Sequence, residues 1–357
     1  MKKSLLPGIL LFFYFFSAWG QIPPGYYATA EGKTGVALQA ALHNIIKGLT
    51  SITYDALWTA FQSTDKKANG KVWDMYSDVP SGTPPYEFTF VTDQCGNYSG
   101  EGDCYNREHS WPNSWFGGAV LPMYTDLFHL YPTDGYVNNR RSNYPYAKVG
   151  SASWTAENGS KLGSCATAGY SGTVFEPIDA YKGDFARSYF YMSTRYYTED
   201  SGWPGSDETT GSQLKPWALT MMLQWNQQDP VSQKETDRNN SVYTIQNNRN
   251  PFIDHPEYAA LIWDPNAGIN DTGIENKLCI YPNPSTDICN LAIPGELQGR
   301  DLSILIFSLA GMPVATIHSE KEDNVKIDLS DVPAGVYFVT ITNPGNSGIY
   351  HGKITRR

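Results

Sequence analysis

Charge is what this sequence has least of. Only 17% of its 357 residues are Asp, Glu, Lys or Arg, against about a quarter in an ordinary globular chain. That deficit excludes a coiled coil and a highly charged disordered protein. Basic residues are the scarcer sign, 26 against 36 acids, for a net charge of −10. A protein that coats nucleic acid by bulk electrostatics is therefore excluded. An enzyme that grips one phosphate through a metal ion and a few local arginines is not. Long apolar runs are also missing, and past the N-terminus nothing approaches the roughly 20 residues that span a bilayer. The five cysteines include no CxxC pair and no Cys/His cluster at zinc spacing, so no structural zinc site is expected.

What is present suits a turn-rich globular protein. Hydrophobic residues make up 41% and aromatics 14%, with 24 Tyr and 10 Trp, while 32 Gly and 23 Pro punctuate the chain. At roughly 150 residues per domain the length suggests two to three domains.

The N-terminus has the pattern of a signal peptide. Lys2 and Lys3 precede the apolar stretch Leu5 to Phe16, and Ala18-Trp19-Gly20 offers small residues for cleavage before Gln21. A membrane anchor is the rival reading, but the stretch is short for it. Loss of residues 1–20 removes two lysines and no acids and leaves a mature charge of −12. In an exported protein the cysteines can pair. Cys95 and Cys104 flank a turn-rich loop and are the expected bridge, Cys279 and Cys289 offer a second, and Cys165 is left over.

The spacing of Val36, Leu38, Leu42, Ile45 and Ile46 predicts a helix over 35–46, with His43 as a packing or surface residue. Tyr54 to Phe61 reads as a second helix, and Tyr86 to Phe90 as the clearest strand of region 70–104. Helices follow at Asp179 to Tyr197, with Phe185, Tyr189 and Met192 on one stripe, and at Leu214 to Gln228. Residues 266–277 read as a polar linker. Beyond it the runs Leu302 to Phe307, Pro313 to Ile317, Val325 to Leu329 and Gly335 to Ile341 alternate with turns, as in a small β-sandwich. The expected organisation is a signal peptide at 1–20, a catalytic domain at 21–265, the linker, and a β-sandwich at 278–357.

Chemistry concentrates in 104–150. There Asn106-Arg107-Glu108-His109, Asp126 to Pro132 and Val137 to Tyr144 stand in a window that carries four basic residues (Arg107, Arg140, Arg141, Lys148) against three acids (Glu108, Asp126, Asp134), inside an acidic chain. Phosphodiester hydrolysis needs a base titrating near neutrality, a divalent cation at the phosphate, and an arginine clamp. Mg²⁺ keeps several waters, so one carboxylate and one amide oxygen are sufficient protein ligands. Glu108, His109, Asn138 and Arg141 supply that set; a polar loop with a solvent-facing ion pair is the bland alternative. Glu108 and His109 are strand neighbours, so they serve one centre only if the strand ends or bends there.

These motifs, in this order and with Phe175-Glu176-Pro177 and Lys182 to Arg187 after them, resemble the endonuclease I family of secreted and periplasmic nucleases, from about Tyr26 to Trp263. The resemblance implies an α+β fold with a His-Me finger (ββα-metal) core that cuts DNA and often RNA with little sequence preference. It implies His109 as general base, with Glu108 and Asn138 as ligands of one Mg²⁺ for which Mn²⁺ or Ca²⁺ can substitute. Arg141 matches the arginine of the same motif, and a phosphate contact is expected of it. His129 is expected to support the site, while Glu176 and Arg187 are either structural or in touch with substrate. Two departures stand out: Phe128 where some members have a second histidine, and Asn139 where the family usually has glycine after the metal-binding asparagine.

At the other end, Tyr281 to Asp287, Leu329 to Phe338 and the basic Lys353 to Arg357 resemble a type IX secretion sorting domain. The resemblance implies passage through the outer membrane by that machinery, a secreted or cell-surface protein, no membrane span after signal removal, and a monomer. The alternatives are a secreted glycan-binding or adhesion protein, suggested by abundant Tyr and Trp, and a phosphodiesterase acting on small molecules.

Overall fold

The computed structural model describes residues 22–264, 278–308, 312–342 and 350–357. The signal segment and linker lie outside the described residues. The chain divides into two compact units, Met1–Gly268 and Ile269–Arg357.

The first unit is mixed helix and sheet. Helix α1 (Gly35–Ile46) buries Leu38, Leu42 and Ile46, one residue per turn on one face. His43 also packs inward, its Nδ1 3.1 and 3.0 Å from the carbonyls of Thr194 and Arg195. Helix α2 (Leu57–Thr64) starts later than its sequence suggests, because Thr53 Oγ1 accepts from Ala56 N and holds a turn before it. Strand β1 (Tyr105–His109) pairs antiparallel with β2 (Leu130–Asp134), and helix α3 (Gly135–Arg141) follows β2 without a break. Asp134 makes that join possible by capping α3, its Oδ1 accepting from Val137 N at 2.9 Å. Strands β3 (Val149–Thr155), β4 (Lys161–Cys165) and β5 (Thr173–Glu176) form an antiparallel sheet. Helix α4 (Lys182–Arg195) is buried along its whole length and carries Phe185, Tyr189 and Met192 into the core. A two-stranded ribbon, β6 (Thr209–Thr210) and β7 (Gln213–Leu214), leads to α5 (Pro216–Gln228). Helices α6 (Gln233–Gln246), α7 (Pro251–Asp254) and α8 (Glu257–Trp263) complete the unit. Gly183 lets α4 approach the end of α5: a Cβ there would meet the Asp229 carbonyl at 2.1 Å.

The strand expected at Tyr86 to Phe90 does not form. The segment is joined to the chain beside it by Val72 N donating to Phe88 O at 3.0 Å, and among the described residues no strand extends that bond into a ladder. Its apolar side chains are satisfied otherwise, with Phe88 packing on Val72 and Tyr105 and with Tyr86 and Phe90 against them. The Cys95–Cys104 bridge is present. Cys279 and Cys289 are unbridged, because the strands turn them to different neighbours, Ala292 and Ile327.

The second unit is all β. Strands β8 (Cys279–Tyr281), β9 (Ile288–Ala292) and β12 (Asn324–Asp328) form one antiparallel sheet. The other holds β10 (Asp301–Ser308), β11 (Pro313–Glu320), β13 (Gly335–Thr342) and β14 (Tyr350–Arg356), in the order β11-β10-β13-β14. Cys289, Leu291, Val325 and Ile327 from the first sheet share one core with Ile304, Ile306, Val339 and Ile354 from the second. Among the described residues no helix is long and apolar enough to cross a membrane.

Candidate active site

A pocket of about 330 Å³ opens where the end of β1 meets α3, and its lining includes Glu108, His109, Asn138 and Asn139. His109 is the last residue of β1, followed by a turn through Ser110 to Pro112. The strand ends where the sequence required it to, and the two neighbours line one pocket.

Beneath the pocket lies a closed polar network. Glu108 Oε1 accepts from Arg141 Nη1 at 3.0 Å and from Tyr76 Oη at 3.1 Å. Tyr76 Oη in turn sits 2.7 Å from Tyr146 Oη. Burial pushes the Glu108 carboxyl up to about 7, against the opposing pull of Arg141 and Tyr76. Glu108 Oε2 receives no hydrogen bond from the described residues. Asn138 Nδ2 donates to Asn106 Oδ1 at 2.7 Å, and Asn138 Oδ1 is likewise without a protein donor among the described residues. One carboxylate oxygen and one amide oxygen at one pocket suit a hard divalent cation that keeps most of its waters. Among the described residues no cluster of three or more His, Cys, Asp and Glu offers an all-protein cage.

His109 packs against a pair of tyrosines that stack on each other, Tyr54 and Tyr124, with centroids 4.5 Å apart. It stacks on Tyr124 with centroids 5.1 Å apart, and Tyr54 lies parallel at 6.1 Å. Its Nε2 is 3.1 Å from the Tyr124 carbonyl. A carbonyl only accepts, so Nε2 carries the proton and the Nδ1 lone pair is free; no hydrogen bond from the described residues occupies it. Burial, aided by His129, holds the imidazole down to about 3, so it is neutral at pH 7.

Arg141 does not reach the pocket as its expected phosphate contact requires. Its side chain is wholly buried, and besides Glu108 its fork reaches His109 O at 3.0 Å, Ser110 O at 2.6 Å and Tyr189 Oη at 3.2 Å. His129 is buried behind His109, ring centroids 5.5 Å apart, with Nε2 2.7 Å from Met123 O. Glu176 and Arg187 are structural. Glu176 binds Lys182 Nζ and Val149 N, and Arg187 pairs with Glu235 through Nε and Nη2.

Three contributors escaped the sequence. Tyr54, in the turn before α2, and Tyr124, on a short 3-10 helix 15 residues after His109, pack beside its ring, and no motif marks them. Asn106 was legible only as part of the motif around Glu108. At the rim, Arg107 lies 3.6 Å from the Tyr54 ring centroid and 4.4 Å from that of Trp58 and donates to Tyr54 O at 2.8 Å, which fixes the ring over His109.

Comparison with known proteins follows the same division of the chain. Residues 34–257 match the family model "Endonuclease I", and residues 279–354 match "Secretion system C-terminal sorting domain". An extracellular ribonuclease of Bacillus amyloliquefaciens is 40% identical over 67% of this chain and 78% of its own length. One from Bacillus subtilis (strain 168) is 38% identical over the same shares. A periplasmic deoxyribonuclease of Aeromonas hydrophila is 27% identical over 37% of this chain and 48% of its own.

Proposed function

The chain belongs to the endonuclease I family and is a secreted or cell-surface nuclease, and from that premise we propose that it cleaves RNA and DNA by a metal-assisted hydrolysis in which His109 is the general base. The observation that carries this reading is the commitment of His109 Nε2 to the Tyr124 carbonyl, which leaves Nδ1 as the ring's acceptor in a residue that lines one pocket with Glu108 and Asn138. RNA is the first substrate because the relatives at 40% and 38% identity are named ribonucleases; DNA joins it through the named deoxyribonucleases, at 26–27% identity.

In this mechanism Nδ1 of His109 takes a proton from a water molecule, whose oxygen attacks the phosphorus as the bond to the 3′ oxygen breaks. The products carry 5′-phosphate and 3′-hydroxyl ends. Tyr124, stacked on Tyr54, packs against the imidazole from one side, and the Tyr124 carbonyl steadies the imidazolium that forms. Glu108 Oε2 and Asn138 Oδ1 would hold the cation, for which Mg²⁺ is the first choice and Mn²⁺ or Ca²⁺ the substitutes; when bound it neutralises charge at the phosphate and the departing oxygen. Arg141 is a positioning residue that favours the ionised form of Glu108 and aims it. Together β1, β2 and α3 make up the ββα-metal core of this reading. Residues 1–20 are removed on export, 21–265 carry catalysis, 266–277 link, and 278–357 present the type IX sorting signal.

Incubation of the purified protein with supercoiled plasmid and with single-stranded RNA, in Mg²⁺ or in EDTA, tests the proposal. Cleavage of both that stops with EDTA and returns with added Mg²⁺ is expected. A folded protein that cuts neither substrate with Mg²⁺, Mn²⁺ or Ca²⁺ overturns it.

A further inference from the structure

Beside the pocket, three partly exposed rings stand in succession. Tyr98, which lines the pocket, meets Tyr136 edge-on with centroids 6.5 Å apart, and Tyr136 meets Trp154 of β3 at 6.3 Å. Arg140 lies against the last two. Its guanidinium carbon is 5.2 Å from the Tyr136 centroid and 5.6 Å from that of Trp154, and Nε and Nη2 donate to Tyr136 Oη at 3.2 and 3.0 Å. Tyr136 and Arg140 are four residues apart on α3, hence on one helix face. That helix also brings Asn138 and Asn139 to the pocket.

Two features separate this cluster from ordinary surface. Every other arginine of the first unit lies within ion-pair distance of a carboxylate, and among the described residues Arg140 does not. It is exposed, held by aromatic contacts, and its Nη1 has no protein acceptor among the described residues. The first ring is also built in. Tyr98 sits in the loop closed by Cys95–Cys104, and its ring lies so close to Gly135 that a Cβ there would come within 2.7 Å of it. Gly102 N of the same loop donates to Asp134 Oδ2 at 2.8 Å, which ties the loop to the cap of α3.

An acidic chain gains little from bulk attraction to a polyanion, so substrate affinity has to be local. We propose that Tyr98, Tyr136, Arg140 and Trp154 form a subsite for a nucleotide flanking the scissile phosphate in single-stranded nucleic acid. The unpaired guanidinium binds a backbone phosphate and the rings stack a base. This rests on the nuclease reading above and deepens it. Stacking accepts any base because each has a π face, and it requires that the base be free of a duplex.

The test measures kcat and KM of the full protein and its variants on a short single-stranded oligoribonucleotide and on the same sequence as a duplex, across KCl concentrations at fixed Mg²⁺. Trp154→Ala is expected to raise the single-strand KM roughly tenfold, the loss of one stacked base, with Trp154→Phe restoring most of it and the duplex KM moving far less. Arg140→Ala is expected to raise KM and to reduce the slope of log(kcat/KM) against log[KCl] by about one, the release of one counterion; Arg140→Lys restores the slope. Losses in kcat with KM unmoved, equal losses on single strand and duplex, or an unchanged salt slope in Arg140→Ala each overturn the subsite. A wild-type protein that cleaves and variants that match it overturn the subsite alone, whereas a wild-type protein that cleaves nothing removes the nuclease reading and this inference with it.

Discussion

Arg141 Nη1 stands 3.0 Å from Glu108 Oε1 and 3.0 Å from the carbonyl of His109, with the guanidinium wholly buried. One nitrogen of α3 thus fixes two neighbouring residues of β1 at the point where the strand ends. The ion pair is buried, so its work is to hold the Glu108 carboxylate and the His109 backbone in register, and the substrate has no access to it.

Loss of that cation should therefore appear first as lost stability. Arg141→Met strands a buried carboxylate and is expected to destabilise the first unit by about 3–5 kcal/mol. Arg141→Met/Glu108→Gln should recover part of the loss, because no unpaired charge then remains. Urea unfolding of the three proteins reads both effects. Full stability in Arg141→Met together with weakened substrate binding would return Arg141 to the phosphate.

Stability should also fall on mild acidification. Burial holds the fully buried His129 down to about 4, below its ordinary 6.5. The folded state therefore keeps it neutral while the unfolded chain takes up a proton, and stability rises with pH across this interval. His129 alone leaves stability undiminished above about 6.5 and removes about 2 kcal/mol by pH 5. Urea midpoints at pH 7.5 and 5 should show the drop, and His129→Gln should shrink it. An equal drop in that variant would assign the effect elsewhere.

Opening the Cys95–Cys104 bridge should loosen Tyr98 and the cap of α3 together. The loop is short, so chain entropy predicts a stability loss of about 2–3 kcal/mol. The larger consequence is expected in KM, since Tyr98 leaves the pocket edge while His109 stays held by the Tyr124 ring and carbonyl. Cys95→Ser/Cys104→Ser assayed on single-stranded RNA checks this. A fall in kcat with KM constant would show that the loop supports the base instead.

How much of this was readable beforehand depends on whether a residue acts through its neighbours in sequence. Helix α1 and strands β10 to β13 of the second unit follow from side-chain period alone, and the meeting of Glu108, His109 and Asn138 at one pocket from ordered motifs. Tyr86 to Phe90 has the strand period but no partner strand, and pairing is non-local information that alternation does not carry. Arg141 belongs to a true motif, yet its burial depends on Tyr76, Tyr146 and Tyr189, each from a different part of the chain. The tyrosine pair beside His109 was illegible for the same reason. In a chain with 24 tyrosines, the two that pack there are picked out only by the fold.

The general-base assignment is the claim on which the account turns, and single-turnover cleavage of RNA by wild-type protein and His109→Ala at saturating Mg²⁺ tests it most directly. The account predicts a rate reduced about 10²- to 10⁴-fold in a variant that unfolds cooperatively and still binds Mg²⁺. A variant that cleaves at close to the wild-type rate would contradict it.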